Sequence, residues 1–266
     1  MNMKHILVTG AYGGMGKATV DALLEAGYFV YALDRKIPDE VREGVLAIEC
    51  DLTSEESVKA AYDLVRERTE SLYAVVHFAG IYVLDSLVEI EEERFRRAFD
   101  INVFGAYRVN KAFLPLLKEG SRIIITTSEL APLDPLPFTG LYAITKSTLD
   151  KYAYSLRMEL QLLGISVSVV RAGAVKTSLL NVSTSELDKF VENTTLYPCN
   201  AERFKKIVMS VEARNVGAER VAKIVLRALK AKKARYIYNL NNNPLLTLLN
   251  ILPDRLQNYI IKKILK

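Results

Sequence analysis

The feature that most constrains the fold of this chain is a regular alternation of short apolar runs with longer amphipathic ones. Runs that are apolar at nearly every position are typical of strands covered on both faces, and apolar residues three and four apart are typical of helices. Strands are predicted over residues 6–9, 29–33, 46–50, 74–78, 122–127, 166–171 and 235–239, and helices over 14–26, 54–68, 91–118, 140–163 and 217–231. Because crossovers between parallel strands are right-handed, this order predicts an α/β protein with a three-layer, doubly wound, mainly parallel seven-stranded sheet of order 3-2-1-4-5-6-7.

Length and composition favour a single folded domain. The chain has 266 residues, half of them apolar and a quarter charged, which is ample material for one core. We expect one domain over 1–266, with a substrate lid at about 178–214 and an amphipathic C-terminal extension over 244–266. The two cysteines form neither a disulfide framework nor a metal motif, and no signal peptide or membrane-spanning run is recognised, so we expect a cytoplasmic protein.

A glycine-rich turn follows the first predicted strand and opens the first predicted helix. It runs Thr9-Gly10-Ala11-Tyr12-Gly13-Gly14-Met15-Gly16. Gly10 permits a tight turn, Gly14 lets the backbone approach a pyrophosphate, and Gly16 lets helix and strand pack closely, while the helix N-terminus offers free N–H groups to the anion. The turn, including Tyr12, Gly13 and Met15, therefore predicts a dinucleotide site, although such a turn can also be purely structural.

Carboxylates follow the second and third predicted strands. Asp34 is placed to accept hydrogen bonds from the adenosine ribose and to repel a 2′-phosphate, which favours NAD over NADP. Arg35 leaves NADP open, because its guanidinium can bind a phosphate or lie over the adenine. Asp51 and Leu52 are candidates for the adenine edge, and Asp51 is also a candidate cap of the helix that begins near Ser54.

A tyrosine and a lysine four residues apart form the candidate proton-transfer pair. On a helix, Tyr142 and Lys146 share one face, and a neighbouring ammonium is expected to lower the pKa of the phenol. Ser128, at the end of the fifth predicted strand, can hydrogen-bond a substrate oxygen. These residues predict general acid–base catalysis, whereas the YxxxK spacing alone also fits an aromatic beside a solvated lysine.

Together these residues resemble the short-chain dehydrogenases/reductases, in the single-domain branch with TGxxxGxG and YxxxK motifs. The resemblance spans nearly the whole chain, identifies Asn102 as the family's catalytic asparagine, and implies a Rossmann fold and an NAD(P)-dependent oxidoreductase acting on CH–OH groups. It also implies that Lys146 binds the nicotinamide ribose and that Asn102 holds a proton-relay water. Cofactor contacts are further implied for Tyr142, for Ala79 and Gly80 after the fourth strand, and for Gly173, Val175 and Thr177 after the sixth.

Two positions depart from the pattern of that family. His77-Phe78 stands where the family usually has two asparagines, and Ala172 stands in place of a proline. We expect Phe78 to replace amide hydrogen bonds by apolar packing, and His77 to be a satisfied interior histidine, not a base. We expect no metal site, because His5 and His77 are the only histidines and neither has a cluster of ligands around it.

The segments outside the motifs are expected to select the substrate. Leu130, Leu136, Phe138, Leu179 and Leu180 are the predicted pocket residues. Three prolines between 132 and 137 would stiffen one wall, and Leu187, Phe190 and Val191 would form a mobile apolar lid or pack among themselves. The substrate expected is a bulky apolar ring ketone or alcohol such as a steroid or bile acid, as in a hydroxysteroid dehydrogenase.

The C-terminal extension predicts two short helices separated by Pro253-Asp254. Residues 223–266 hold ten Lys/Arg against the single Asp254, and Leu256, Tyr259, Ile260 and Ile264 share one helix face. Packing on the protein, over the pocket or a subunit seam, is favoured over contact with a membrane surface, and no nucleic-acid partner is expected. The family resemblance implies a homodimer or homotetramer formed through the 91–118 and 140–163 helices.

Other function classes fit parts of this pattern. An enzyme of the same class with another carbonyl substrate, such as an acyl or polyketide reductase or a small-alcohol dehydrogenase, shares every motif above. A nucleotide-sugar epimerase or dehydratase would carry a longer substrate domain. A non-catalytic NAD(H)-binding sensor would not need the Asn102, Ser128, Tyr142 and Lys146 set.

Overall fold

A parallel seven-stranded sheet is the centre of the computed structural model, which describes residues 3–40 and 42–266, leaving aside the side chains of 178–184. The strands are β1 (His5–Thr9), β2 (Phe29–Asp34), β3 (Val45–Glu49), β4 (Leu72–His77), β5 (Leu117–Thr126), β6 (Ser166–Ala172), β7 (Val175–Lys176), β8 (Val216–Gly217) and β9 (Ile237–Leu240). The sheet order is β3-β2-β1-β4-β5-β6-β9. This confirms the predicted topology. The strand numbers differ only because β7 and β8 form a separate two-stranded sheet, so the last strand of the main sheet is β9.

Helices cover both faces of the sheet. They are α1 (Gly14–Glu25), α2 (Glu55–Arg66), α3 (Glu92–Phe99), α4 (Gly105–Phe113), α5 (Gly140–Leu160), α6 (Ser178–Asn193), α7 (Pro198–Glu212), α8 (Glu219–Lys230), α9 (Pro244–Ile251) and α10 (Asp254–Leu265). The helix predicted over 91–118 is interrupted by a π turn at Asp100–Phe104 and ends before Pro115, which cannot donate a backbone hydrogen bond.

Alternate strand residues point to two cores. On one face, Leu7, Ile123 and Val167 pack against residues of α2, α4 and α5. On the other face, Val8 and Ile124 pack against residues of α1 and α8. The two cores give the three-layer arrangement that the apolar runs predict, and the sheet presents the carboxyl ends of its strands along one edge.

The segment predicted as a mobile lid consists of two packed helices. Leu187 and Phe190 of α6 and Phe204 of α7 are buried in an apolar cluster with Phe138 and Leu84. Leu187 and Phe190 therefore pack among other apolar side chains, which was one of the two alternatives, and a substrate lid over about 178–214 stays a prediction.

The C-terminal extension forms the two short helices predicted. α9 ends at Ile251, α10 begins at Asp254, and the Asn200 side chain on α7 donates a 2.7 Å hydrogen bond to the Leu265 carbonyl. Among the described residues, no helix is both long and apolar enough to span a bilayer.

Candidate active site

In the glycine turn between β1 and α1, backbone atoms of different segments approach too closely for side chains to fit between them. Gly10 has φ +64°, and a Cβ there would lie 2.6 Å from the Ala79 nitrogen; a Cβ on Gly16 would lie 2.0 Å from the Gly10 oxygen. Both positions therefore require glycine, which brings the loop after β4 onto the turn. No side chain caps α1 at Gly13, so its first-turn N–H groups remain for an anion.

Gly14 leaves room for a neighbouring loop. A Cβ there would lie 2.5 Å from the Cβ of Thr177. The missing side chain thus makes room for Thr177, and the approach of the Gly14 backbone to a pyrophosphate stays a prediction. The consequence is that the loop after β6, which carries Gly173 and Val175, is held against the glycine turn.

The Asp34 carboxylate lies over the same turn. Its Oδ2 accepts a 2.9 Å hydrogen bond from the Tyr12 N–H, and its Oδ1 accepts one of 2.8 Å from the Arg35 N–H. At the neighbouring strand end, Asp51 accepts two hydrogen bonds from Thr53. The bond from the Thr53 N–H is the larger cause, and the bond from its hydroxyl the smaller, of a pKa of Asp51 below its usual range. Ser54 caps α2, so the alternative of Asp51 as the cap is wrong.

Asn102 joins the loop after β4 to α5. From the π turn, its amide nitrogen donates to the Ile81 carbonyl at 3.0 Å and to the Thr145 hydroxyl at 3.1 Å, and its oxygen accepts from the Ile81 N–H at 2.7 Å. A Cβ on Gly80 would lie 3.2 Å from Asn102 Oδ1 and 3.4 Å from Lys146 Nζ. The asparagine, the glycine and the lysine are therefore neighbours, as the family resemblance implies.

An ion pair with a buried carboxylate fixes α5 against the strands beneath it. Arg171 of β6 donates to both carboxylate oxygens of Asp150, at 3.0 and 2.7 Å. Thr127, the residue before Ser128, donates to Asp150 at 3.2 Å. These bonds connect the helix that carries Tyr142 to the strand end that carries Ser128, which sets their separation.

Ser128, Tyr142 and Lys146 come together beside an apolar cavity that Ser128 and Tyr142 line. Lys146 is buried, its Nζ donates to the Thr126 carbonyl at 3.2 Å, and it lies 5.8 Å from the centroid of the Tyr142 ring. The structure therefore brings the four predicted catalytic residues, Asn102 included, to one site.

The electrostatics of this site differ from the prediction. Loss of water around the phenol raises the pKa of Tyr142 to about 12. A hydrogen bond with Ser128 acts in the opposite direction and lowers that pKa by a smaller amount. Burial lowers the pKa of Lys146 to about 8. Burial, and not the Lys146 ammonium, is the largest influence on the phenol, so the predicted lowering of the Tyr142 pKa is not seen.

The cavity beside Tyr142 has an apolar wall drawn from distant parts of the chain. Leu130 and Leu136 line it, as predicted, and Thr127, Ala172, Val175 and Thr177 line its floor. Phe138, also predicted to line the cavity, does not line it. Its backbone has a φ of +64°, and its ring packs instead on the rings of Phe190, Tyr197 and Phe204. The side chains of Leu179 and Leu180 lie outside the described part of the chain.

Sequence reasoning missed most of the wall. The additional lining residues are Tyr82, Phe204, Ile207, Val208, Val211 and Glu212, together with Leu246 of α9. The Tyr82 ring meets the Tyr142 ring edge-on, with centroids 4.5 Å apart. The available signal was the amphipathic pattern of 198–212, which marks a helix without showing which partner its apolar face has.

Glu129, next to Ser128, is another lining residue that the sequence motifs do not indicate. It is buried, lines the cavity, and accepts a 2.5 Å hydrogen bond from the Asn243 N–H through Oε2. Burial raises the pKa of Glu129. The available signal was a carboxylate directly after the candidate catalytic serine. Its bond to Asn243 ties α9 to the cavity floor.

The two departures from the family pattern have structural roles. His77 is buried between Asn110, at 2.9 Å, and the Thr9 hydroxyl, at 3.4 Å, and burial lowers its pKa to about 4. Phe78 packs against the core of α1 and α8. Both expectations, an interior histidine and apolar packing, are confirmed. Within the described residues, no cluster of side chains could hold a metal ion.

Comparison with known proteins gives consistent relatives. A family model for the short chain dehydrogenases matches residues 4–188. The uncharacterised oxidoreductase YbbO of Escherichia coli K12 is 35% identical over 197 residues, which cover 71% of this chain and 73% of that protein. Mouse estradiol 17-beta-dehydrogenase 2 is 33% identical over 190 residues, covering 67% of this chain and 50% of the mouse enzyme.

Solved structures agree on the fold. The crystal structure of a short chain dehydrogenase family protein from Francisella tularensis subsp. tularensis SCHU S4 has a TM-score of 0.73 and 24% sequence identity, covering 90% of this chain and 96% of that one. The family match ends within α6. The helices that complete the cavity wall therefore lie in the part of the chain beyond the match.

Proposed function

Because this chain belongs to the short-chain dehydrogenase family, we propose that it is a nicotinamide-dependent oxidoreductase that interconverts a secondary alcohol and a ketone. The observation that carries the proposal is the meeting of Ser128, Tyr142 and Lys146 beside an apolar cavity whose floor adjoins the glycine turn. The cofactor would supply hydride transfer to or from the substrate carbon.

The protein residues would handle the proton. The Ser128 hydroxyl would hydrogen-bond the substrate oxygen, and Tyr142 would donate a proton to it during reduction or accept one during oxidation. With the pKa of Tyr142 at about 12, the phenol is protonated near neutrality, which is the form that reduction of a ketone requires. Lys146 and Asn102, adjacent across Gly80, would pass the replacement proton towards solvent.

The glycine turn and the strand ends around it fit a dinucleotide. The uncapped α1 N-terminus faces the turn, and Asp34 lies above it, fixed by the Tyr12 N–H. We place the pyrophosphate at the turn, the adenosine ribose at Asp34, and the nicotinamide between Lys146 and the Gly173–Thr177 loop. The Asp34 charge supports NAD over NADP, since it would repel a 2′-phosphate.

The substrate proposed is a bulky apolar ketone or alcohol, with a steroid or bile acid as the preferred type. Leucine, isoleucine, valine and phenylalanine side chains supply most of the wall, and Ser128 and Tyr142 line the same cavity. The similarity to mouse estradiol 17-beta-dehydrogenase 2 supports the same substrate type. Another apolar carbonyl compound is the alternative, which a panel of steroid, bile-acid and acyl ketones would separate.

Replacing Tyr142 by phenylalanine tests the proposal. Turnover of a panel ketone should fall by about 10³-fold or more, because the proton donor is removed, while NADH binding, followed by its fluorescence, should persist. Tyr154→Phe is the matched control, since Tyr154 lies on the same helix with its ring 53% exposed. Unchanged turnover in Tyr142→Phe would exclude this mechanism and favour a sensor.

We also propose a homodimer or homotetramer built on α4 and α5. Phe104 and Tyr107 at α4, and Tyr154 and Met158 on α5, expose between 40% and 53% of their surface. Such neighbouring apolar side chains on two helices are suited to a subunit interface. Light scattering coupled to gel filtration would measure the assembly, and a monomer at micromolar concentration would contradict it.

We place the protein in the cytoplasm. Cys50 is buried and Cys199 is exposed, and both are free thiols, which fits a reducing compartment. Fractionation of cells expressing the full chain would test this placement, including any share that remains with membranes.

A further inference from the structure

The two C-terminal helices expose an unusual amount of apolar surface. Leu245, Leu248 and Ile251 of α9 are 62%, 59% and 74% exposed, and Leu256, Tyr259 and Ile264 of α10 are 43%, 58% and 53% exposed. We call these six residues the C-terminal apolar face. α9, Pro-Leu-Leu-Thr-Leu-Leu-Asn-Ile, contains no charged residue. Exposed apolar residues grouped in this way, unlike single ones, indicate a contact surface.

Each helix is already held to the protein by its opposite side. On α9, Leu246 lines the catalytic cavity and Asn250 donates a 3.0 Å hydrogen bond to Asp134. On α10, Gln257 is buried and Leu265 packs against the α6–α7 cluster. The C-terminal apolar face is therefore what remains after these helices have packed, so packing on the protein does not account for it.

Basic side chains flank this face. Residues 254–266, which are α10 and the residue after it, contain four basic side chains and one acidic one. They are Arg255, Lys262, Lys263 and Lys266 against Asp254. The spacing of seven and four residues puts Arg255, Lys262 and Lys266 on one flank of the helix, beside the apolar row of Leu256, Ile260 and Ile264. An apolar stripe bordered by lysine and arginine is the composition of helices that lie in the interface of a membrane with anionic lipids.

We propose that α9 and α10 dock this protein on an anionic phospholipid surface. The apolar face would enter the boundary between headgroups and acyl chains, and the basic flank would pair with lipid phosphates. A symmetric contact with a second copy fits less well, because it would bring the basic flanks of both copies together. Since Leu246 of α9 is part of the cavity wall, docking would also put the cavity beside the lipid, a consequence that rests on the proposed function.

Vesicle flotation of the full chain tests the docking surface. The protein should float with vesicles of phosphatidylcholine and phosphatidylglycerol, and more weakly with phosphatidylcholine alone. Leu248→Glu/Ile251→Glu should lose flotation by at least about tenfold, because charges would enter the apolar layer. Arg255→Gln/Lys262→Gln should weaken only the binding to anionic vesicles, by about fivefold for each charge, which corresponds to about 1 kcal/mol each.

A matched variant on another surface serves as the control. Leu162→Glu/Leu163→Glu changes two apolar residues that are 83% and 57% exposed after α5, and it should float like the parent protein. Tyr142→Phe should also float normally, so a failed redox assignment and a failed docking surface give different results. The proposal is overturned if the parent protein stays with the soluble fraction, if the α9 variant floats unchanged, or if that variant instead dissociates an oligomer.

Discussion

The floor and the wall of the cavity are built in different ways. The floor consists of strand ends and the first turns of α5 and includes Ser128. Lys146 and, from the π turn, Asn102 are buried next to this floor and hydrogen-bonded to backbone or to other side chains. The wall consists mainly of helices from later in the chain, whose contribution is apolar surface, as at Phe204, Val208 and Leu246.

This difference separates reaction from recognition. Moving one floor residue disturbs a connected set of hydrogen bonds, so it should change the chemical step. Trimming one wall residue removes only contact area, so it should change the binding of an apolar substrate. Variants of each region, matched for exposure and residue type, would sharpen this division or break it.

After Tyr142→Phe, the largest effect on the floor is expected for Ser128→Ala. Turnover should fall by about 10²–10³-fold, since one donor to the developing oxyanion is lost. The Ser128 hydrogen bond also lowers the pKa of Tyr142, so its removal should raise that pKa further. Oxidation needs the phenolate, so its rate profile should move to higher pH, whereas reduction, which needs the phenol, should keep its profile near neutrality. Steady-state rates in both directions against pH would measure this.

Ser147→Ala is the control for that variant. Ser147 lies on α5 and donates to the Ala131 carbonyl at 2.6 Å, outside the catalytic set. Its turnover should stay close to that of the parent protein. Equal losses in the two variants would mean that the floor responds to any lost hydrogen bond, and the special role of Ser128 would be withdrawn.

The next effect is expected at the ribose end of the floor. Asp34→Asn keeps an oxygen that can accept the Tyr12 N–H but removes the negative charge. The ratio of kcat/KM for NADH to that for NADPH should fall by about 10- to 100-fold, the range of charge-assisted hydrogen bonds. Asp51→Asn, a matched change at the adjacent strand end, should alter both cofactors alike. An unchanged ratio in Asp34→Asn would remove the basis for preferring NAD.

The sequence predicted the floor far better than the wall, for a physical reason. Parallel strands end along one sheet edge, so Gly10, Asp34 and Ser128 could be placed together from the strand order alone. The sequence did not reveal the positive φ that turns Phe138 away from the cavity, nor which faces of α7 and α9 meet it. It also missed the raised pKa of Tyr142, which depends on how fully the fold excludes water around the phenol.

A smaller effect is expected on the wall. Ile207 lines the cavity and is 37% exposed, so Ile207→Ala should fold normally and lose only substrate contact. KM for a bulky apolar ketone should rise about tenfold, while kcat changes little. Met209→Ala, two residues along α7 and 48% exposed, does not line the cavity and should leave both constants unchanged. A fall in kcat with constant KM would show that wall and floor are not separable at this point.

The smallest effect is expected where the two regions meet, at Glu129. Its folded-state pKa is raised by burial, so the folded protein binds a proton more tightly than the unfolded chain does. Stability therefore decreases as pH rises from the ordinary carboxyl range through that raised value, because the folded state must then hold a buried charge.

Glu129→Gln removes this penalty and keeps an oxygen for the Asn243 N–H. Its Tm should exceed that of the parent protein by about 2 °C above neutrality, with the difference shrinking on acidification. A lower Tm at every pH would instead mean that the charged carboxylate stabilises the junction between floor and α9.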